Sequence, residues 1–320
     1  MALNFVTFDM LNKLLIQNLH RIPHDIDVVV GVPRSGLLLA NMIACYLNKP
    51  LTDVSGVIAG KFFDAGNTKN KFDWARDFSA VKKILVVEDS VASGASINQV
   101  KQRLALVNVE KIYLAALVEP RAINMVDLYF AVVPQPRMFE WNFMHHTALQ
   151  FCCLDFDGVL CQDPTPEQND DGENYRNFIL NAEPKFLPSQ PVGCIVTSRL
   201  KKYARETQLW LRRHNVRYDY LIMLDGFTAK ERRMLGIHAD FKAQVYGSIE
   251  ESFLFIESDP NQAHKIAQLS DKPVYCVSNS AFYAGGVYLT PNSNFFVMEA
   301  LTWSRQFSPP QAQVDVWAAA

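Results

Sequence analysis

The stretch Ile84-Leu-Val-Val-Glu-Asp-Ser-Val-Ala-Ser-Gly-Ala-Ser96 constrains this chain more than any other. Its apolar opening, Ile84 to Val87, reads as a buried parallel strand with two adjacent carboxylates at its carboxyl end. A run of Ser, Ala and Gly follows and predicts a turn into a helix beginning near Ile97. Small side chains let successive backbone N–H groups approach an anion, the hydroxyls of Ser90, Ser93 and Ser96 add donors, and the helix start contributes favourable dipole charge. Glu88 and Asp89 repel a bare phosphate but suit sugar hydroxyls or a magnesium ion beside it. On local chemistry alone, an ordinary βα turn with a capped helix accounts for the stretch equally well.

An upstream segment repeats the same logic. Val28-Val-Val30 runs into Gly31-Val-Pro-Arg-Ser-Gly36, and Leu37 to Leu47 then reads as a helix. Arg34 adds a guanidinium able to grip an anion through two parallel hydrogen bonds. Two strand-loop-helix anion sites, one with Arg34 and the other with Glu88 and Asp89, suit a ligand with two phosphate ends and a sugar between them. The pair resembles type I phosphoribosyltransferases, whose donor is phosphoribosyl pyrophosphate. Their donor signature is four apolar residues, two acids and a small-residue loop with a Ser/Thr-Gly step; this chain departs from it only in Glu88, where Asp is commoner, and Ser93, where Thr is usual.

The resemblance implies that Glu88 and Asp89 hold the ribose hydroxyls, directly or through magnesium. Ser90, Ala92, Ser93, Gly94, Ala95 and Ser96 would surround the ribose phosphate. Gly31, Pro33, Arg34, Ser35 and Gly36 would form the pyrophosphate loop, with the Pro33–Arg34 peptide cis. Ahead of these sites, Phe5 to His20 has helical apolar spacing and predicts a leading helix. Between them, Leu51 to Ala80 corresponds to the family's mobile flap, with Lys61, Lys69 and Lys71 as candidates to reach pyrophosphate; a solvated hairpin carrying surface lysines is the other reading. Strands are expected at Lys111 to Glu119 and Tyr129 to Val133. In the aromatic connector Gln135 to His146, Phe139, Trp141 and His145 either line a hood over the acceptor or pack the domain junction.

At 320 residues the chain has length for two domains, and a fresh α/β pattern opens at Phe151-Cys-Cys-Leu-Asp-Phe-Asp-Gly-Val-Leu160. A buried strand there leads into carboxylates spaced i and i+2, which an extended segment would place on one side. Acids this close call for a cation, and one of them is free to attack a phosphoryl group while the other moves a proton. The motif resembles that of haloacid dehalogenase (HAD) superfamily phosphatases, and the later motifs follow in order: Gly193 to Arg199 ending in Thr197-Ser198, Phe241-Lys242 to Val245, and Leu254 to Asp259. The resemblance implies Asp155 as nucleophile, Asp157 as general acid and base, Thr197 as phosphoryl-binding hydroxyl, and Lys242, or less favourably Lys230, as the stabilising cation. It also implies Mg2+ held among Asp155, Asp157, Glu257 and Asp259, with Cys161 to Pro191 as a modest lid over an open site.

The expected architecture is therefore α/β, with two doubly wound parallel-sheet domains: residues 1–148 phosphoribosyltransferase-like, and residues 149–320 a HAD-like Rossmannoid with a small cap. A formal net charge of -2 gives no general electrostatic case for nucleic-acid binding. No apolar run approaches the roughly 20 residues of a membrane span, and the amino terminus lacks a signal-peptide layout, so a cytoplasmic protein is expected. Cys45, Cys152, Cys153, Cys161, Cys194 and Cys276 show no CxxC spacing and read as reduced, mostly core residues. The tail from Ser308-Pro-Pro310 reads as a loose terminus.

Joined in one chain, the two resemblances imply transfer of a 5-phosphoribosyl group to an acceptor, followed by removal of the 5-phosphate. A saccharide hydroxyl is the preferred acceptor, because dephosphorylating a salvaged nucleotide would undo the retention that its phosphate gives. Base salvage coupled to a nucleotide phosphatase is the alternative, as is a phosphatase regulated by a donor-binding domain without catalysis.

Overall fold

The computed structural model describes residues 3–63, 78–228, 231, 234–284, 287–288 and 317–318. Lys69, Lys71, Lys230 and the tail from Ser308 lie outside them. Two compact units emerge, Phe8–Arg137 and a second made of Met1–Thr7 with Met138–Ala320. In chain order the elements begin with β1 (Asn4–Val6), α1 (Phe8–Asn18), β2 (Val28–Gly31), α2 (Ser35–Leu47), β3 (Leu51–Asp53), α3 (Val54–Ala59), β4 (Lys83–Val91), α4 (Ala95–Arg103), β5 (Glu110–Val118) and β6 (Leu128–Val132).

Within Phe8–Arg137 the sheet order is β3-β2-β4-β5-β6, and all its pairings are parallel. Val28, Val30, Ile84, Val86 and Ala115 pack with Ile97 and Val100 of α4 in one buried cluster. Such continuously apolar strands are what helix-covered parallel sheets require. The expected strands at 84, 111 and 129 are all present, shifted by a residue or so. Between β2 and β4, the described part of Leu51 to Ala80 is β3 and α3 rather than a hairpin. Strand β4 is longer than its apolar run, because Ser90 and Val91 still pair with Leu117 and Val118 of β5. Glu88 and Asp89 thus sit inside the last turn of the ladder, where the backbone is rigid.

The second unit continues with β7 (Arg137–Phe139), β8 (Cys152–Leu154), α5 (Glu173–Asn181), β9 (Val192–Leu200), α6 (Ala204–Arg213), β10 (Tyr218–Leu224), α7 (His238–Ser248), β11 (Leu254–Glu257), α8 (Pro260–Ser270), β12 (Val274–Cys276), β13 (Ala281–Ala284), β14 (Val287–Tyr288) and β15 (Trp317–Ala318). Its sheet order is β14-β13-β12-β11-β8-β9-β10-β15, parallel from β12 to β10 and antiparallel at both edges. Alternation divides the strands between two cores. Cys152, Leu154, Leu254 and Ile256 face one, while Cys153 and Phe255 face the other.

Two expectations needed correction. The leading helix starts at Phe8, because Phe5 belongs to β1, whose partner is β7, and its ring is buried against Tyr275 at 4.5 Å. That long-range contact overrides the helical spacing of the local sequence. The two compact units meet at Arg137, and Met138, Phe143 and Met144 are buried in the core of the second unit. The segment Cys161 to Pro191 is more than a lid: Tyr175, Phe178 and Ile179 of α5 are part of the same core.

The six cysteines are free thiols, with Cys45 exposed and the other five buried. Among the described residues, no helix is long and apolar enough to cross a membrane. Trp210 anchors α6: its ring meets Phe156 edge-on at 5.1 Å and its indole N–H donates to the Ala182 carbonyl at 2.8 Å. Trp210→Ala should destabilise this unit by about 3–5 kcal/mol, measured as a lower urea midpoint in its unfolding transition.

Candidate functional site

Parallel α/β sheets place ligands beyond the carboxyl ends of their strands, where loops meet helix starts. In Phe8–Arg137 the loop after β2 lies against β4 there. The Val32 amide donates to the Val87 carbonyl at 2.9 Å, and Gly31 pairs with Val87. Gly36 lies so close to β4 that a Cβ would stand 2.6 Å from the Val87 carbonyl oxygen and 3.1 Å from Glu88 Oε1. Only glycine allows that approach, which explains the residue without any appeal to positive φ. The Pro33–Arg34 peptide is cis. Arg34 is exposed at the start of α2, and no side chain caps that helix, so its first amides face the loop.

On the second loop, Gly94 has a φ of 79° and opens α4. The Ala95 amide donates to Ser93 Oγ at 3.4 Å, and Ser96 Oγ donates to Glu88 Oε2 at 3.1 Å. Glu88 and Asp89 are both buried. Burial, reinforced by the neighbouring Asp89 charge, pushes the Glu88 carboxyl up to about 8. The structure thus sets Gly36 beside Glu88 and Gly31 opposite Val87, with Pro33, Arg34 and Ser35 in the loop between them and Ser90 and Ala92 to Ser96 following Asp89 along the chain. Lys61 is exposed just past α3, with its carbonyl accepting from Thr52 Oγ1 at 2.7 Å.

Sequence reasoning missed Arg137 in this unit. It is almost fully buried, its Nη2 donates to the Val91 carbonyl at 3.4 Å, and burial lowers its pKa against the opposing fields of Glu119 and Asp89. No motif marks it. The suggested hood residues fall in the other unit: Phe139 stacks on Trp141 at 4.8 Å, and His145 Nδ1 lies 3.0 Å from Ser189 Oγ.

The second unit gathers its motif residues around one buried ammonium. Lys242, on α7, donates to Asp155 Oδ2 at 2.7 Å, Glu257 Oε2 at 2.8 Å and Gln262 Oε1 at 3.0 Å. Burial works against the charge on Lys242, but the two carboxylates outweigh it and hold the ammonium above its ordinary range. Thr197, buried on β9, accepts from the Arg199 amide at 3.2 Å.

Strand β8 ends at Leu154, so the alternation rule does not govern Asp155 and Asp157: Asp155 meets Lys242, whereas Asp157 is engaged by Arg199. Asp259 Oδ1 accepts from the Gln262 amide and caps α8. Asp163, absent from every motif, also faces this site: burial, then the charges of Asp157 and Glu257, raise its pKa. Arg199 did carry a sequence signal, being a charged residue two positions past Thr197 in an otherwise buried strand.

Among the described residues, no three His, Cys, Asp or Glu side chains are grouped to hold a metal. Asp155 and Glu257 nevertheless converge on one cation, and their hard oxygens fit magnesium. The Asp157 carboxylate is engaged by Arg199, and Asp259 Oδ1 accepts from the α8 amide.

The model of the phosphoribosyl transferase domain family matches residues 7–146, so this part of the chain is a phosphoribosyl transferase domain. Among characterised proteins, the transcriptional regulator GfcR of Methanococcoides burtonii is 30% identical over 116 residues, covering 35% of this chain and 55% of its own. The chain thus spans about half the length of that relative. Solved structures similar to it include a purine phosphoribosyltransferase from Pyrococcus horikoshii, 17% identical over 44% of this chain and 94% of its own with a TM-score of 0.33. Another is the orotate phosphoribosyltransferase of Aeropyrum pernix, 21% identical over 39% of this chain and 70% of its own with a TM-score of 0.28.

Because Glu88 keeps its proton to about pH 8 in the fold, against 4.5 ordinarily, the native state binds the extra proton between those values. Stability therefore falls as pH rises across that window, by about 1.4 kcal/mol per pH unit at most. Glu88→Gln should flatten the slope, read from denaturant unfolding across the same window.

Proposed function

We propose that the chain transfers a 5-phosphoribosyl group from phosphoribosyl pyrophosphate to an acceptor and then removes the 5-phosphate. The observation that carries the second half is the Asp155–Lys242–Glu257 cluster at the carboxyl edge of a doubly covered parallel sheet. The first half rests on the phosphoribosyl transferase domain and on the close approach of Gly36, in the loop after β2, to Glu88 on β4.

In the transfer step, the amides and serines of the second loop hold the ribose phosphate, and Arg34 with the loop after β2 holds the pyrophosphate. Glu88 and Asp89 accept from the ribose hydroxyls. The acceptor hydroxyl oxygen attacks the anomeric carbon, the carbon–oxygen bond to pyrophosphate breaks, and pyrophosphate leaves with the electron pair and takes up the proton of the acceptor hydroxyl. A saccharide hydroxyl is the acceptor we favour, because removal of the 5-phosphate then yields a finished ribofuranosyl unit.

In the second step, an Asp155 oxygen attacks phosphorus while the ester bond breaks, and the leaving oxygen takes a proton from Asp157. Water then attacks the aspartyl-phosphate, gives its proton to Asp157, and the Asp155 oxygen departs as phosphate is released. Lys242 offsets the charge gathered on Asp155 and the phosphoryl oxygens, and Thr197 donates to the latter. Asp155 and Glu257 would hold a magnesium ion, which supplies further charge neutralisation at the phosphoryl group. Covalent linkage of the two activities raises the local concentration of the phosphorylated intermediate.

A second reading is favoured by the regulator relative: the domain at 7–146 binds the donor and controls the second unit without transferring anything. Calorimetry showing donor binding, with no pyrophosphate released for any acceptor, would support this reading over ours. On the enzymatic reading, Asp155→Asn should leave pyrophosphate release unchanged and let a 5-phosphoribosylated acceptor accumulate, identified by mass spectrometry from an acceptor library. Absence of that product with all saccharides, but its formation with a nucleobase, would sink the saccharide assignment.

A further inference from the structure

We infer that Arg137 and Glu119 bind the acceptor of the phosphoribosyl group, and that the part they hold is uncharged and presents a hydroxyl or N–H beside an oxygen; this rests on the transfer reading above. Among the described residues, Nε and Nη1 of Arg137 and Oε2 of Glu119 are buried without a hydrogen-bond partner. Arg137 as a whole is only 2% exposed. Orphaned donors on a buried guanidinium, and an orphaned oxygen on a neighbouring carboxylate, each cost free energy in the folded chain. A direct hydrogen-bonded ion pair would remove that cost, yet the Glu119 charge acts on Arg137 while these atoms stay open. Open positions of both kinds, side by side, are what a polar ligand fills.

The pair stands at the same sheet edge as the donor residues. Val91, at the end of β4 just past Asp89, ties both down: its carbonyl accepts from the Glu119 amide at 2.9 Å and from Arg137 Nη2 at 3.4 Å. Glu119 directly follows β5, whose Leu117 and Val118 pair with Ser90 and Val91, and the field of Asp89 also reaches the guanidinium. The turn after Glu119, Pro120–Met125, closes onto the second anion loop: a Cβ on Gly94 would strike Met125 Sδ, and Lys101 of α4 donates to the Met125 carbonyl at 2.9 Å. With β4 between β2 and β5, the pair flanks the ribose acids on the side away from the proposed pyrophosphate loop. A guanidinium only donates and a carboxylate only accepts, so the complement is an oxygen for Arg137 beside a hydroxyl or N–H for Glu119. One guanidinium against the carboxylates of Asp89 and Glu119 leaves no surplus positive charge for an anionic group. Vicinal hydroxyls of a neutral sugar have this pattern, and so does the lactam edge of a base.

The test measures pyrophosphate release from phosphoribosyl pyrophosphate with magnesium and acceptors in matched pairs: methyl glucopyranoside with methyl glucuronide, and hypoxanthine with orotate. Release with the neutral member of a pair and not with the acidic one is expected, and the pair that reacts tells sugar from base. An acidic member used as well as its neutral partner overturns the inference and leaves the transfer reading standing; no release with any of them removes both. Glu119→Gln should raise the KM of the reacting acceptor by about 10- to 100-fold, with the Kd of the donor unchanged by calorimetry. Arg137→Met removes the orphaned donors while the Val91 carbonyl keeps the Glu119 amide, so it should raise the same KM without lowering the urea midpoint. If Arg137→Met does not fold by near-UV circular dichroism, Glu119→Gln decides the matter. An acceptor KM unchanged in a folded variant would overturn the inference and leave the pair a structural one.

Discussion

The buried ammonium of Lys242 is the interaction on which the second unit depends. Two carboxylates from different strands, Asp155 after β8 and Glu257 at the end of β11, approach one another only because a cation lies between them. Removing that cation would leave two like charges in a site where Glu257 and Asp155 have almost no solvent contact. Breaking a buried pair in this way typically costs about 3–5 kcal/mol. The arrangement is therefore poorly explained as a device for stability, since apolar residues of similar volume would do as well.

The first unit solves a related problem with backbone. Its two loops carry serines and the exposed Arg34, and its two carboxylates stand on the strand itself. Gly36 is what brings these parts together, because any side chain there would strike the Val87 carbonyl and push α2 away from β4. A single absent methyl group thus sets the spacing between the proposed pyrophosphate loop and the proposed ribose acids. Beyond Val87, where the pairing with β2 ends, the strand carrying those acids stays paired with β5, Glu88 opposite Ala115 and Ser90 opposite Leu117.

The motifs were legible where a strand, its turn and its helix are contiguous in sequence: Gly31 to Gly36, Glu88 to Ser96 and Asp155 to Asp157 all lie at strand-to-helix transitions, which periodicity and small residues mark directly. What escaped was set by partners far along the chain. Phe5 reads as helical until Tyr275 captures it in a strand, and Asp259 reads as a ligand until the Gln262 amide takes its carboxylate. Arg137 and Asp163 carry no pattern at all, because only tertiary burial beside Asp89 and Asp157 gives them their setting. Arg199 lies between these cases, visible as an anomaly in a buried strand but without a partner until the fold supplies Asp157.

Glu88, which stands where the resembled phosphoribosyltransferases more often have aspartate, shares its geometry with Glu257 of the second unit. Glu88 accepts from the next backbone amide through Oε1, at 3.3 Å, and from Ser96 through Oε2. Glu257 accepts from the Ser258 and Asp259 amides through Oε1, at 2.8 and 3.2 Å, and from Lys242 through Oε2. In each, the extra methylene lets one oxygen fold back onto the chain that follows while the other reaches a second element. An aspartate at the same position would be one carbon shorter and would have to give up one of those contacts. The longer side chain therefore trades reach toward a ligand for a carboxylate braced at both oxygens, which suits a group required to hold its place beside another acid.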